Sequence, residues 1–290
     1  MIDFTFLTLS YNQEKYIERH LDSIKRIIIK YGKNLKVDFI LADDKSEDKT
    51  VFIAKKWLRD NNIFFRANIL EHSKNCGTVR NFLDGVNCIR TKDFKLLAAD
   101  DYYVEKNIFS LYNDITGKML ITPLCLVGYV TDKTKKIFME NYSLLQHNAS
   151  NYKMKKLLKR YSSVIPSPGV IFDGDFVRNK NFQNYLLQFN VIEDYPMWHY
   201  FVNEFNCDIK VLSNAFINYN VGNGISTNEN HVKRVIFNSD LIKLSKIFRV
   251  KQNILPKYIN PYCYLLWFER KFFYTVDTLK SIIKKFKMVL

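Results

Sequence analysis

Short apolar runs alternate with amphipathic segments through the first hundred residues, and this alternation limits the possible folds more than any other feature. The runs at residues 4–9, 37–42, 63–70 and 94–99 predict strands. Between the runs, apolar residues recur every three or four positions, a spacing typical of helices that bury one face. Strands that alternate with helices in this way predict a parallel sheet with right-handed crossovers, in the α/β class.

Polar residues follow three of these predicted strands. They are Ser10, Tyr11 and Asn12 after the first strand, Asp43 and Asp44 after the second, and Asp100 and Asp101 after the fourth. Parallel α/β sheets bind ligands beyond the carboxyl ends of their strands. We therefore expect the two acidic pairs at one edge of the sheet, as candidates for ligand binding.

The pair Asp100–Asp101 places two carboxylates side by side at the end of an apolar strand. Adjacent carboxylates repel each other unless a cation lies beside them. Hard oxygen ligands suit Mg²⁺ or Mn²⁺, and such an ion can carry a diphosphate. The alternative at this position is an ordinary solvated loop.

The pair Asp43–Asp44 also follows an apolar strand. A carboxylate here can accept hydrogen bonds from the N–H group of a base or from ribose hydroxyls, as acids do in other nucleotide-binding folds. The alternative is a helix N-terminus, because Asp44, Ser46 and Asp48 are suited to cap a helix and to complement its dipole.

The net charge of +15 comes from 44 Lys and Arg against 29 Asp and Glu in 290 residues. Residues 231–290 hold 13 of the basic residues and only 3 of the acidic ones, so two thirds of the excess lies in the last fifth of the chain. A nearly balanced body with a basic tail, and without any RNA- or DNA-binding signature, disfavours a nucleic-acid-binding protein.

Targeting and redox signals are sparse. The five cysteines are odd in number and include no C-x-x-C pair, which indicates reduced thiols in a cytosolic protein. The N-terminus passes directly into a strand pattern and does not resemble a secretory signal. No apolar run approaches the roughly 20 residues that a membrane span needs. We therefore expect a cytoplasmic protein.

The end of the chain predicts a basic amphipathic helix. Its apolar stripe is formed by Phe272, Val276, Leu279, Ile283, Phe286 and Leu290. Lysines flank the stripe, and aromatic residues precede it from residue 262 onward. Such helices bind anionic membrane surfaces. The alternative is that the stripe packs on the protein itself.

Four motifs follow one another in a recognisable order over the first 105 residues. They are Leu9-Ser10-Tyr11-Asn12, Asp43-Asp44-Lys45-Ser46, Asn75-Cys76-Gly77-Thr78 and Leu97-Ala98-Ala99-Asp100-Asp101. The series resembles the family 2 glycosyltransferases of the GT-A fold, and the resemblance covers roughly residues 1–230. It implies a Rossmann-like, mostly parallel sheet flanked by helices, and an inverting transferase that uses a nucleotide-diphosphate sugar with Mn²⁺ or Mg²⁺.

The resemblance also implies roles for individual residues. Asp44, with Asp43 beside it, would recognise the nucleobase, and Asp101, with Asp100, would bind the metal and the diphosphate. The remaining members of the implied donor site are Ser10, Tyr11 and Asn12 in the nucleotide pocket, and Asn75, Gly77 and Arg80 beside the diphosphate and the donor sugar.

An inverting transfer needs one general base to take the proton of the acceptor hydroxyl. The family places this base in a Glu-Asp pair at the start of a helix, and Glu193–Asp194 fits, since Pro196 suits a first helical turn. This resemblance implies Asp194 as the base and Glu193 as a supporting acceptor contact. The alternative is a plain acidic helix cap.

A literal Asp-x-Asp sequence occurs at Asp173-Gly174-Asp175. Apolar residues flank it on both sides, in the half of the chain that the resemblance assigns to the acceptor. We interpret it as a turn rather than as the metal motif.

The sequence therefore predicts a bacterial-type, non-processive transferase of hexosyl or N-acetylhexosaminyl groups, acting on a surface polysaccharide or glycolipid precursor. We expect a catalytic domain at 1–230, with a nucleotide-sugar half at 1–105 and an acceptor half at 106–230, and a basic helical region at 231–290. Contact with the inner face of the cell membrane is expected through 262–290. The alternatives are a metal-dependent nucleotidyltransferase and a non-catalytic protein that binds nucleic acid or membrane.

Overall fold

The computed structural model describes residues 3–147, 150, 152–154, 165–221 and 231–251. Its strands in chain order are β1 (Phe4–Ser10), β2 (Val37–Asp43), β3 (Arg66–Glu71), β4 (Phe94–Ala98), β5 (Tyr102–Tyr103), β6 (Lys118–Ile121), β7 (Leu124–Gly128), β8 (Val170–Phe172), β9 (Asp208–Val211) and β10 (Ile217–Val221). Its helices are α1 (Ile17–Tyr31), α2 (Thr50–Asn61), α3 (Thr78–Asn87), α4 (Asp132–His147), α5 (Gly174–Arg178), α6 (Lys180–Leu186), α7 (Asp194–Asn203) and α8 (His231–Lys251).

The main sheet has the strand order β3-β2-β1-β4, and all its pairs are parallel. Strands β1 and β2 are buried along almost their whole length, which explains their continuous apolar runs. Helix α1 buries Ile17, Leu21 and Ile24 at helical spacing. The α/β class and the mostly parallel sheet flanked by helices are confirmed.

The second half of the chain builds two smaller mixed sheets. In one, β10 lies between β5 and β7; in the other, β6 lies between β8 and β9. Strand β5 directly follows Asp101, and β10 pairs with β5. This sheet therefore brings the end of β10 to the carboxyl end of β4. That junction positions the candidate site.

Contacts divide the chain into a compact unit at Met1–Leu244 and a second unit at Ser245–Leu290, of which the structure describes residues 245–251. The domain division at residues 105 and 230 stays a prediction. The predicted amphipathic helix and its membrane contact lie outside the described residues. No helix within the described ranges is both long and apolar enough to cross a membrane.

Candidate active site

Asp43, the last residue of β2, is buried, and its carboxylate accepts hydrogen bonds from other residues of the protein. Oδ2 accepts hydrogen bonds from the hydroxyls of Ser10 and Ser46, each at 2.6 Å, and Oδ1 accepts one from the Ser46 main-chain N–H at 2.7 Å. Asn12 joins the same cluster, since its N–H donates to Ser46 Oγ and its side-chain oxygen accepts the N–H of Glu47. Asp43 thus ties the loop after β1 to the loop after β2.

Asp44 is also buried and holds a different loop. Its Oδ1 accepts hydrogen bonds from the main-chain N–H and the thiol of Cys76, at 2.7 and 3.0 Å, and its Oδ2 accepts the N–H of Gly77 at 3.0 Å. Gly77 has φ +86°, a conformation that favours glycine. Asp44 therefore fixes the entry to helix α3.

The other predicted donor residues lie around these loops. Tyr11 lies in the loop after β1, and Asn75 is exposed just before Gly77. Arg80 is exposed on α3 and forms an ion pair with Asp84 one helical turn along, at 3.0 Å. The structure thus brings the segments at 10–12, 43–46 and 75–77 together at one edge of the main sheet.

Asp100 and Asp101 follow β4 at the same edge. The Asp101 side chain is buried, and its Oδ1 accepts the main-chain N–H of Asn220, the fourth residue of β10, at 2.8 Å. Burial, reinforced by the charge of Asp100, raises the pKa of Asp101 well above its ordinary value, and burial also raises the pKa of Asp100. The two acids are held together in spite of their repulsion.

Two residues of the first turn of α1 support this acidic pair, and the sequence patterns did not single them out. Arg19 donates to the main-chain oxygen of Asp100 at 3.1 Å and lies 4.3 Å over the ring of Tyr102. His20 is fully buried, with Nδ1 2.7 Å from the Asp101 main-chain oxygen and Nε2 2.8 Å from Thr8 Oγ1. Burial lowers the pKa of His20 to about 4, so its neutral ring acts as a fixed bridge.

Lys95 is a buried amine within electrostatic range of Asp101. Its ammonium group donates to the main-chain oxygens of Leu96 and Val170, at 2.7 and 3.0 Å. Burial lowers the pKa of Lys95 to about 7, although the charge of Asp101 raises it. Because Lys95 lies inside an otherwise apolar run, strand patterning alone could not distinguish it from a core position.

Glu193 and Asp194 lie at the start of α7, with Asp194 as its first residue. Burial raises the pKa of Asp194 to about 6. Burial, followed by the charge of Asp194, raises the pKa of Glu193 to about 8. Pro196 occupies the first turn of the helix, as the sequence predicted.

Tyr219 lies within electrostatic range of acids from both pairs. Burial, followed by the charges of Asp101, Asp100 and Asp194, raises the pKa of this phenol to about 12. Since all three carboxylates act on one phenol, the acids after β4 and the acid that begins α7 belong to one electronegative site. The sequence placed Tyr219 in a strand but contained no signal for this role.

The Asp173-Gly174-Asp175 sequence lies elsewhere. Asp173 caps α5, where its carboxylate accepts the N–H groups of Gly117 and Asp175. A Cβ on Gly174 would lie 2.1 Å from the oxygen of Lys92, which precedes β4. This sequence therefore lies at the amino end of β4, whereas Asp100–Asp101 lies at its carboxyl end.

The acidic pair after β4 fits a hard divalent cation. Its two carboxylates repel each other, and their raised pKa values mean that nearby positive charge would stabilise their ionised forms. Within the described ranges, no group of three or more His, Cys, Asp or Glu side chains forms a metal cluster. Further ligands would therefore come from a bound phosphate or from water.

A family model described as Glycosyl transferase family 2 matches residues 5–172. The chain belongs to glycosyltransferase family 2. This family 2 glycosyltransferase carries the strand-end acids Asp43, Asp44, Asp100 and Asp101 inside the matched segment, whereas Glu193 and Asp194 lie beyond it.

Solved structures of S. aureus TarS share the GT-A-like fold of this glycosyltransferase. TarS 1-349 matches with a TM-score of 0.55 and 15% identity, over 89% of this chain and 76% of that one. TarS 1-349 in complex with UDP-GlcNAc matches at 0.54 and 16%, over 77% and 60% of the two chains.

A further TarS structure matches with a TM-score of 0.54 and 17% identity, over 76% of this chain but only 37% of that one. The glycosyltransferase described above thus spans little more than a third of that TarS chain. No curated protein matches the sequence significantly.

Proposed function

We propose that this glycosyltransferase transfers a single sugar, with inversion, from a UDP-sugar to a hydroxyl of a surface polysaccharide or glycolipid precursor. The observation that carries the proposal is the common site around Tyr219, where Asp100, Asp101 and Asp194 all raise the pKa of one phenol. A donor site and a base must be adjacent in a transferase, because the acceptor oxygen attacks the carbon that the diphosphate leaves.

Asp194 acts as the general base in this proposal. Its pKa of about 6 leaves it ionised at pH 7 yet basic enough to share a proton. Asp194 takes the proton of the acceptor hydroxyl while the acceptor oxygen bonds to the anomeric carbon. The bond from that carbon to the diphosphate oxygen breaks, and its electron pair leaves with the nucleoside diphosphate.

Glu193 orients the acceptor. Its pKa of about 8 keeps it protonated at neutral pH, so it donates a hydrogen bond to an acceptor oxygen while Asp194 accepts one. The two neighbouring acids thereby have different roles, because burial and the charge of Asp194 separate their pKa values.

Asp101 and Asp100 would hold Mn²⁺ or Mg²⁺ together with the donor diphosphate. Such an ion, when bound, neutralises the charge of the leaving diphosphate. Arg19 lies beside this pair and contributes a further positive charge at the site.

The loops at 10–12, 43–46 and 75–77 form the nucleotide pocket, with Asp44 and Asp43 on the side of the base. The structures of TarS in complex with UDP and with UDP-GlcNAc support a uracil nucleotide and a hexosyl or N-acetylhexosaminyl group. Arg80 lies exposed beside this pocket, where its Nε forms an ion pair with Asp84.

We also propose a cytoplasmic location with peripheral contact to the membrane through residues 262–290. This part of the proposal rests on the basic amphipathic pattern of the sequence. Deleting residues 272–290 should weaken sedimentation with vesicles that contain anionic lipid but not with neutral vesicles. Unchanged binding to the anionic vesicles would contradict the membrane role.

A donor screen tests the proposed function. The full chain is incubated with a panel of UDP-, GDP- and dTDP-sugars, in Mn²⁺ and then in EDTA, and release of the nucleoside diphosphate is measured. We expect slow hydrolysis of at least one UDP-sugar that EDTA abolishes. Absence of turnover and of binding for every donor would contradict the proposal.

A further inference from the structure

Helix α8 contributes a buried acid that lies outside the segment matched by the family model. Asp240 has no exposed surface, although its side chain is a carboxyl group and lies in the middle of a helix. A carboxylate is buried at large cost unless hydrogen bonds replace its water. Its partners therefore indicate which part of the protein requires it.

All the described partners of Asp240 belong to one turn. Oδ2 accepts the main-chain N–H groups of Asn190 and Val191, both at 2.8 Å, and that of Ile192 at 3.3 Å. Oδ1 accepts the side-chain amide of Asn190 at 3.0 Å. A second residue of α8, Lys243, donates to the oxygen of Gln188 at 3.0 Å. Helix α8 thus holds the segment between α6 and α7 through these hydrogen bonds.

The turn at residues 190–192, which Asp240 holds, leads directly into the proposed catalytic acids. Ile192 is followed by Glu193 and by Asp194, the first residue of α7. A displacement of about 1 Å at reacting groups can lower a rate by about 100-fold. The position of the turn therefore bears on the geometry of the general base.

The other side of the turn faces the loop at residues 75–77. The main-chain oxygen of Asn190 accepts the N–H of Val79, in the first turn of α3, at 3.1 Å. A Cβ on Gly77 would lie 2.7 Å from the same oxygen. The turn is thus fixed between α3, whose entry Asp44 holds, and α8, which supplies Asp240.

We propose that Asp240 is a positioning residue that holds the turn at 190–192 and thereby places Glu193 and Asp194 against the donor site. This inference rests on the proposed function, because it takes Glu193 and Asp194 as the catalytic acids. Asp44 holds residues 76–77 independently. Loss of Asp240 should therefore affect turnover more than donor binding.

Graded substitutions test the inference in the full chain. Asp240→Ala removes every acceptor, so kcat should fall about 100-fold while the donor KM stays within threefold. Asp240→Asn keeps one oxygen that accepts hydrogen bonds from the turn, and its new amide N–H can donate to the Asn190 side-chain oxygen once the Asn190 amide rotates. We therefore expect kcat to fall about tenfold. Asp60→Asn, at an exposed position of α2, is the matched control and should leave kcat unchanged.

Hydrogen exchange supplies a readout that does not depend on activity. Amides 190–192 should exchange faster in both Asp240 variants, whereas the amides of β1 should keep their protection. If the wild type transferred no sugar, the proposed function would fail. Exchange of amides 190–192 would still test whether Asp240 holds this turn. If Asp240→Ala does not fold, Asp240→Asn against Asp60→Asn decides the question.

The inference is overturned by any of three results. The first is a kcat within threefold of wild type for the Asp240 variants, in an enzyme that transfers sugar. The second is unchanged exchange of amides 190–192. An Asp240→Asn variant with raised donor KM and normal kcat would also contradict it, because the effect would then lie on donor binding.

Discussion

The pairs Asp43–Asp44 and Asp100–Asp101 follow parallel strands of one sheet, yet they lie in different environments. The carboxylates of the first pair accept hydrogen bonds from serine hydroxyls, a thiol and main-chain N–H groups, and they hold two loops. Asp101 accepts the N–H of Asn220, and the pKa values of the second pair are raised. Two acids after a strand can thus serve structure or chemistry, and their partners decide which.

Glu193–Asp194 belongs with the second of these pairs. Its pKa values are also raised by burial, and Asp194 acts on the same phenol, Tyr219, as Asp100 and Asp101. Asp43 and Asp44, whose carboxylates accept several hydrogen bonds, are the satisfied pair, and they lie in the loops of the proposed nucleotide pocket. The acids with raised pKa values, which we call the strained acids, mark the proposed reaction centre: Asp100, Asp101, Glu193 and Asp194. Substitutions in each class should have opposite signatures.

Removing the proposed base should have the largest effect. Asp194→Asn should lower the kcat of sugar transfer about 1,000-fold, because a general base contributes about 10² to 10⁴ to a rate. Donor affinity, measured by calorimetry on the same sample, should stay within a few fold. Asp60→Asn is the control, and normal transfer by Asp194→Asn would refute the assignment.

Removing an acid from the satisfied pair should cost stability instead. Asp44→Ala leaves the N–H groups of Cys76 and Gly77 without their acceptor, which should lower the free energy of unfolding by about 2 kcal/mol. Urea denaturation of the metal-free protein measures this loss. An Asp44→Ala variant as stable as wild type would show that the loop does not depend on this carboxylate.

The pH dependence of kcat/KM, which reports the ionisation of the free enzyme, should be bell-shaped. Asp194 must be ionised, so the rate should fall tenfold per unit as pH drops below about 6. Glu193 donates a hydrogen bond, so the rate should also fall above about pH 8. Glu193→Gln keeps a donor and should abolish the alkaline limb alone, whereas an unchanged alkaline limb would refute the role of Glu193.

Asp101→Asn should have the smallest effect on stability, and one of opposite sign to that of Asp44→Ala. The raised pKa of Asp101 means that its ionised form costs stability at pH 7 without metal. The variant should therefore gain about 1 kcal/mol or less at pH 7, and the gain should vanish below about pH 3, where this carboxyl group is protonated in both the folded and the unfolded chain. A loss of stability at pH 7 would contradict the repulsion that we infer.

The first half of the fold was predictable because its information is local. Continuous apolar runs identify β1 and β2, and the polar residues at their carboxyl ends locate the edge of the sheet. Strand β6 and helix α4 were not predicted, since they lie in a stretch without a clear periodic pattern.

The candidate site was predictable only in part, because its contacts join distant positions. Asp101 and Asn220 are 119 residues apart, and Asp240 binds a turn about 50 residues earlier. His20 and Lys95 are buried, and single polar residues of this kind form no local sequence pattern. Family motifs identified the acids, but only the packing distinguishes which are satisfied.

Manganese binding tests most directly whether the strained acids form the donor site. The signal of free Mn²⁺ in electron paramagnetic resonance is followed as wild type, Asp101→Asn or Asp60→Asn is added in the presence of UDP. We predict that wild type and Asp60→Asn bind one Mn²⁺ per chain and that Asp101→Asn leaves the signal unchanged. Equal Mn²⁺ binding by Asp101→Asn, or none by wild type, would contradict the account.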